Sequence, residues 1–324
     1  MAEWLVEEGI GEHRAIRLAN GRIAEARVEW PGRLAPGVVA DATLIFRAAG
    51  SSRGTARFAC GEEALVSRLP ASAREGAPIR LEVTRAAIAE RGRAKLAQAR
   101  PTDAAPHPAP TLAERLAHEG DGARIVRRFP ACDWGELVAE AYAAEVAFAG
   151  GALLLCPTPA MLLIDIDGAA DPRALALGAV PAIADALRRL DVGGAIGIDF
   201  PSLPAKADRR AVDDALAAAL ADWPHERTAM NGFGFVQLVT RREQASLLEL
   251  AAWHGAAFAA RQLLRRAEGL EGAGALLLEG PPGLEPQLTP PFLAELGRRT
   301  GREIRWQARP GLALAGAHAQ LVPR

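Results

Sequence analysis

The 324-residue sequence has almost no lysine and no strong excess of charge of either sign. Lysine occurs only at Lys95 and Lys206, and the formal net charge is −1. This balance excludes the global basic surface expected for tight non-specific nucleic-acid binding, so any contact with nucleic acid has to be a local patch. Because the other basic side chains are mostly arginines, such a patch is expected to bind phosphate through planar, bidentate guanidinium groups.

Cysteine and long apolar runs are also scarce. The three cysteines are far apart and lack metal-ligand spacing, so a reduced, cytoplasmic setting is expected. The acidic N-terminus carries no secretory signal, and the longest apolar region, 146–164, is broken by glycines and prolines. That region predicts two strands and a turn, and we expect no membrane span. The sequence also lacks a Gly-rich phosphate loop, a nucleophile elbow and a paired metal-binding histidine motif.

The clearest chemical pattern lies between residues 161 and 200. Two short apolar runs, MLLID and GGAIGID, each end on an aspartate, at Asp165 and Asp199. The segment 174–190 between them has apolar residues at helical spacing, which predicts a strand–helix–strand unit with parallel strands. Both carboxylates would then lie at one edge of the sheet, where they suit a single Mg²⁺ that keeps several waters. The alternative is that each aspartate caps a loop or a helix start.

Four segments of this region resemble the catalytic core of the ribonuclease E/G family: TPAMLLIDIDG, LRRLDVGGAIGIDF, DRRAVDDAL and NGFGFVQLVTRR. The resemblance implies a DNase I-like catalytic subdomain in which Asp165 and Asp199 bind the single magnesium ion of an RNA-cleaving site. Asp167 replaces a supporting asparagine of the family and is expected to orient water or to add a ligand. Arg241 and Arg242 leave a strand near this site and are candidate contacts for the RNA backbone, unless they form a solvated loop.

Short β segments separated by glycine and proline predict a small barrel within residues 36–100. Their order resembles the OB-fold RNA-binding module of the same family, in which an aromatic residue on the barrel face packs on an RNA base. Phe58 is the matching residue, and the alternative is an ordinary core aromatic. Arg57, Arg93 and Lys95 are candidate phosphate contacts, although the run around Lys95 is equally compatible with a solvated hairpin.

Together these patterns predict an α/β chain, α+β overall, with a barrel before a catalytic core. The predicted units are an N-terminal β-hairpin packing on the core (1–35), an OB-fold-like barrel (36–100), a Pro/Ala linker (101–110), an RNase H-like remnant (111–160), a DNase I-like catalytic subdomain (161–245) and a small C-terminal α/β domain (246–324).

The resemblance is incomplete in ways that bear on regulation and assembly. Only about sixty residues separate Pro101 from Met161, too few for the family's RNA-end-sensing subdomain. No cysteine follows Cys156, so we expect no zinc-linked assembly, while a homo-oligomer stays open. The residual arginines Arg124, Arg127 and Arg128 are expected to bind phosphate without selecting the 5′ end, because little scaffold remains to hold them. Several supporting positions also differ from the family pattern, among them Pro159, Asp167, Gln237 and Thr240.

The sequence therefore predicts an endoribonuclease that uses Mg²⁺ to hydrolyse phosphodiesters of single-stranded RNA in RNA processing or turnover. Changes around a metal site typically weaken it about 10- to 100-fold, which leaves a second hypothesis. In that hypothesis the protein binds RNA and keeps the fold but has lost turnover. A third option is a metal-dependent phosphoesterase with a substrate other than long RNA.

Overall fold

The structure, a computed structural model, describes residues 3–90, 93–242 and 244–323. The strands are β1 (Trp4–Gly9), β2 (Glu12–Ala19), β3 (Arg22–Glu29), β4 (Val39–Arg47), β5 (Gly54–Phe58), β6 (Glu63–Val66), β7 (Pro78–Arg85), β8 (Ile88–Glu90), β9 (Arg93–Lys95), β10 (Ala97–Pro101), β11 (Ala123–Ile125), β12 (Glu145–Phe148), β13 (Gly151–Pro157), β14 (Leu162–Gly168), β15 (Gly194–Asp199), β16 (Glu226–Arg227), β17 (Phe235–Thr240), β18 (Ala275–Gly280), β19 (Ile304–Ala308) and β20 (His318–Val322). The α-helices are α1 (Leu112–Leu116), α2 (Trp134–Ala143), α3 (Pro172–Arg189), α4 (Lys206–Ala219), α5 (Leu247–Trp253), α6 (Gly255–Glu268) and α7 (Pro290–Thr300).

The N-terminal sheet is larger than a hairpin. Strands β2 and β3 form an antiparallel pair around Asn20 and Gly21, whose φ angles of 52° and 78° suit a two-residue turn. Strand β1 pairs antiparallel with β2, and β11 adds in parallel beside β1 to give the order β11-β1-β2-β3. Since β11 comes from the segment predicted as 111–160, two distant parts of the chain build this sheet.

The predicted small barrel is present and closed. Its strands follow the order β10-β6-β5-β4-β7, with β6 and β10 parallel and β7 pairing with both β4 and β10, which is consistent with an OB-like barrel. The last barrel strand is Ala97–Pro101. The preceding residues Arg93–Lys95 pair with Ile88–Glu90 in a separate two-stranded ribbon.

A six-stranded sheet in the order β12-β13-β14-β15-β17-β16 contains both aspartates. Strands β14 and β15 are parallel and joined by α3, as predicted, while the remaining pairs are antiparallel. Helix α3 begins after Asp171, whose side chain accepts the N–H of Ala174 at 3.2 Å. Because β12 and β13 pair with β14, this sheet runs across the boundary predicted at residue 160.

One face of this sheet is covered and the other is exposed. Helix α3 packs on β12, β13 and β14, with α4 beside it, and the residues facing them form the main core. Ile164, Ile196 and Ile198 on that side are at most 1% exposed. On the opposite face Leu154, Leu163 and Val239 are 36–48% exposed. Polar or charged residues on that second face are therefore accessible to solvent.

The C-terminal region is a small three-stranded sheet with helices. Strand β18 pairs in parallel with β19 and antiparallel with β20, and α6 and α7 pack nearby. Helices α5 and α6 are separated at His254, whose φ and ψ of −126° and 28° are not helical. None of the helices in the described ranges combines the length and apolar character that crossing a bilayer requires.

Candidate functional site

Asp165 and Asp199 stand directly opposite each other in the parallel pair of β14 and β15. Both side chains are exposed, whereas the preceding Ile164 and Ile198 are buried on the helix-covered side. Successive side chains alternate between the faces of a strand, so the two carboxylates project from the same open face. Neighbouring strands lie about 4.8 Å apart, which makes these carboxylates immediate neighbours.

The carboxylates lie on the sheet face, which differs from the predicted position at the sheet edge. Strand β14 continues to Gly168, so Asp165 is in mid-strand, while Asp199 is the last residue of β15. Neither caps a helix: Asp171 caps α3, and Ala205 precedes α4. The interpretation of both aspartates as loop or helix caps is therefore wrong.

Their negative charge is not compensated by the protein. Asp167 follows two residues after Asp165 on the same face and is also exposed. Within the described part of the chain, none of Asp165, Asp167 and Asp199 has an ion-pair partner. Oδ1 of Asp165 accepts a local hydrogen bond from the backbone N–H of Ile166 at 3.0 Å. Three carboxylates without a cation form a local site of negative potential.

The donor set fits a hard cation that keeps its water. Among the described residues, no group of three or more His, Cys, Asp or Glu side chains is arranged to hold a metal. Closed structural sites of the zinc type need such a group. Mg²⁺ commonly uses one or two carboxylates and fills its remaining positions with water or substrate phosphate. Asp165 and Asp199 together offer the two carboxylates that such a Mg²⁺ site would use, whereas Asp167 does not join them in a three-ligand group within the described residues.

Apolar side chains flank the two carboxylates across the sheet. Leu154 on β13 is opposite Asp165, and Phe235 on β17 is opposite Asp199. The Phe235 ring lies over Gly197, where a Cβ would come within 2.4 Å of the ring. The open face thus has a row of four side chains in the order apolar, acidic, acidic, apolar.

Phe233 is a functional candidate that sequence reasoning missed. It is 85% exposed in the turn before β17. The turn is nevertheless well fixed, since Oδ1 of Asn231 accepts the N–H groups of Phe233 and Phe235 at 2.9 and 3.0 Å. The N–H of Phe200, the residue after Asp199, donates to the carbonyl of Gly234. The sequence signal that could have identified Phe233 is an aromatic residue inside the N-G-F-G turn.

Arg241 and Arg242 do not lie beside the carboxylates, and their contact with the RNA backbone stays a prediction. Strand β17 is antiparallel to β15, so Thr240 pairs with Gly194 and the arginines leave at the far end of the sheet from Asp199. Five residues of strand correspond to about 16 Å. Nη2 of Arg242 also lies 2.5 Å from Glu249, the residue that caps α5 with Ser246, so this arginine supports a helix start.

Of the barrel residues predicted to contact RNA, Phe58 is the one whose position contradicts the prediction. Phe58 is 4% exposed within the barrel core, so the alternative of a core aromatic holds and the prediction that its ring stacks on a base is wrong. Arg57 is paired with Glu63 at 2.7 Å. Lys95 lies on β9, outside the barrel strands, and the side chain of Arg93 lies outside the part of the chain that is described.

Comparison with protein families finds no family model that matches the chain, and the comparison with curated proteins likewise finds no match.

Proposed function

We propose that this chain is a magnesium-dependent endoribonuclease that hydrolyses single-stranded RNA, with the six-stranded sheet as a DNase I-like catalytic unit. The observation that carries the proposal is the in-register pair Asp165 and Asp199, exposed on an open sheet face without any cation of the protein. The order of motifs around this pair, which resembles the ribonuclease E/G core, supports RNA as the substrate.

In this proposal each residue has a distinct task. Asp165 and Asp199 hold Mg²⁺, which when bound supplies Lewis-acid stabilisation of a phosphodiester and an acidic water. Asp167 accepts a hydrogen bond from water and orients it. Phe233 and Phe235 offer apolar surface to unpaired bases, since aromatic rings bind single strands by stacking. Lys206, which opens α4 after the loop that follows Asp199 and is exposed, contacts a phosphate.

A second candidate is an RNA-binding protein without turnover. It is favoured by Asp167, because a third carboxylate on the face repels the phosphate of a substrate unless the metal outweighs it. It is also favoured by the position of Arg242, since that arginine is held by Glu249 at the opposite end of the sheet.

A cleavage assay with 5′-labelled single-stranded RNA separates the two candidates. We expect the wild-type protein to cleave in MgCl₂ and not in EDTA. Asp165→Asn and Asp199→Asn should each abolish cleavage. Asp222→Asn is the matched control, because Asp222 is an exposed aspartate that follows α4. RNA binding without cleavage in any divalent metal would support the second candidate, and neither binding nor cleavage would refute both.

A further inference from the structure

A deep groove separates the N-terminal sheet from the C-terminal domain. Its volume is about 820 Å³, and its walls come from β1, β2, the segment after β11, the end of α6 and the end of α7. Seven arginines and four glutamates line it, an excess of three positive charges in a chain whose net charge is −1. No residue of the six-stranded sheet contributes, so the groove is distinct from the carboxylate face.

Some of these arginines are already neutralised by the protein. Nε and Nη2 of Arg265 donate to the carboxylate of Glu7 at 2.8 and 3.0 Å. Arg299 contacts Glu268 and Glu295 at 3.0 and 2.6 Å. These pairs form the walls and contribute little net charge.

Arg14 has a donor that no protein atom uses. Its side chain is buried, with the residue only 1% exposed, in the wall beside Gly9. Nε donates to Glu12 at 2.6 Å and Nη1 donates to Glu7 at 3.2 Å, but Nη2 has no hydrogen-bond partner among the described residues. Buried donors in folded proteins are almost always paired, so this enclosed N–H is unusual, and a ligand oxygen would reach it only through the groove wall beside Gly9.

Arg127 and Arg128 extend over the groove with unpaired charge. Both are exposed, and within the described ranges neither makes an ion pair. The guanidinium of Arg128 lies on Gly269, where a Cβ would be 1.2 Å from Nη2. The φ of Gly269 is −86°, which any residue adopts, so it is the contact with Arg128 that requires glycine here. The guanidinium of Arg128 therefore has a defined contact at the end of α6, while the lack of a scaffold for Arg127 stays a prediction.

Arg302 adds a third cation without a carboxylate. Its Nη1 and Nη2 donate to the carbonyls of Leu270 and Gly272 at 3.0 and 2.6 Å, which fixes the side chain and leaves its charge in place. Guanidinium groups held in this way match the oxygens of a phosphate in paired hydrogen bonds. The volume of the groove is within the range of small-molecule sites, about 300–1,000 Å³.

We propose that this arginine groove, formed by Arg14, Arg127, Arg128 and Arg302, binds the phosphate groups of a ligand. Two sources share this chemistry: a small phosphorylated molecule of nucleotide size, and the phosphates of an RNA strand. The proposal is independent of catalysis at Asp165 and Asp199.

Calorimetry with pyrophosphate and fluorescence anisotropy with a labelled 5′-hydroxyl RNA test the proposal. Arg128→Gln removes a charge, whereas Gly269→Ala displaces the same guanidinium without changing charge. We expect each variant to weaken binding about tenfold or more. Arg210→Gln, which removes an exposed arginine on α4, is the control and should leave binding unchanged.

The two ligands distinguish the sources. Loss of pyrophosphate binding in both variants with RNA binding unchanged assigns the groove to a small phosphorylated molecule. Parallel loss of RNA binding, with pyrophosphate competing against RNA, assigns it to the strand. The proposal is overturned if the wild type binds neither ligand, or if Arg210→Gln weakens binding as much as Arg128→Gln. Thermal unfolding of each variant verifies that the fold is intact.

Discussion

Replacing Asp199 by asparagine should make the metal-free protein more stable. Asp165 and Asp199 are neighbours on parallel strands, and among the residues that the structure describes no cation forms an ion pair with either. Two unit charges about 5 Å apart in water repel by about 0.8 kcal/mol, and salt reduces this value. Asparagine keeps the shape of the side chain and removes the repulsion. In EDTA at low ionic strength we therefore expect Asp199→Asn to raise the free energy of unfolding by up to about 0.8 kcal/mol.

With Mg²⁺ present, the wild type should be more stable than Asp199→Asn. A ligand that binds only the folded state stabilises it by about 2.7 kcal/mol at one hundred times its dissociation constant. The wild type has both carboxylates and should gain this stability, whereas Asp199→Asn should gain little. Urea unfolding followed by tryptophan fluorescence, with EDTA or with excess MgCl₂, measures both effects, and the six tryptophans supply the signal.

One control variant and two possible results test this reasoning. Asp222→Asn should respond to Mg²⁺ as the wild type does, because it lies after α4 and outside the open face. A wild type whose stability is unaffected by Mg²⁺ would refute the shared metal site. A loss of more than about 1 kcal/mol for Asp199→Asn in EDTA would show instead that this carboxylate makes a stabilising hydrogen bond.

Three further predictions follow from particular contacts. Phe58→Ala should lower the free energy of unfolding of the barrel by about 3–5 kcal/mol, measured by urea unfolding, because the ring fills its core. Phe233→Ala should weaken binding to single-stranded RNA by about 1–3 kcal/mol while Phe233→Trp retains it, and 2-aminopurine in the RNA should report lost stacking by increased fluorescence. Burial alone would raise the pKa of Glu7, but hydrogen bonds and charge from Arg265, the Phe129 N–H and Arg14 leave that pKa below its usual value. The contribution of Glu7 to stability should therefore be complete above about pH 4.5 and be lost as the pH falls through its lower pKa in the folded state. Unfolding measured between about pH 6 and pH 3 should show this decline, and the Glu7→Gln variant should lack it.

Features with local signals were predictable from the sequence. The Asn20-Gly21 turn fixes positive φ angles, so the β2–β3 hairpin is specified within a few residues. Thr111 caps α1 in a capping box with Glu114, and a threonine followed three residues later by glutamate is a sequence signal for a helix start. The strand–helix–strand unit around α3 is likewise local, since a parallel pair with a helical connection follows from hydrophobic periodicity.

Features that depend on the direction or register of distant strands were not predictable. Arg242 follows a strand closely in sequence, but the antiparallel orientation of β17 sends it to the far end of the sheet. Phe58 alternates correctly for a barrel strand, yet alternation does not tell which of the two faces is the core. Lys95 belongs to a strand that pairs locally with Ile88, and only the pairing of the following strand β10 with β6 and β7 shows where the barrel closes.

The arginine groove was the feature least predictable from the sequence, because its residues are up to about 290 positions apart in the chain, from Arg14 to Arg302. A glycine at the end of a helix, such as Gly269 after α6, would ordinarily be explained as a helix stop with positive φ. The φ of Gly269 is −86°, so the missing side chain instead leaves space for the guanidinium of Arg128. The near-zero net charge conceals both this cationic groove and the acidic sheet face. These two surfaces act oppositely on a polyanion: the groove attracts phosphate, whereas the sheet face repels it until a metal binds. If the groove holds RNA, the affinity for RNA should therefore persist in EDTA, and cleavage at Asp165 and Asp199 should require Mg²⁺.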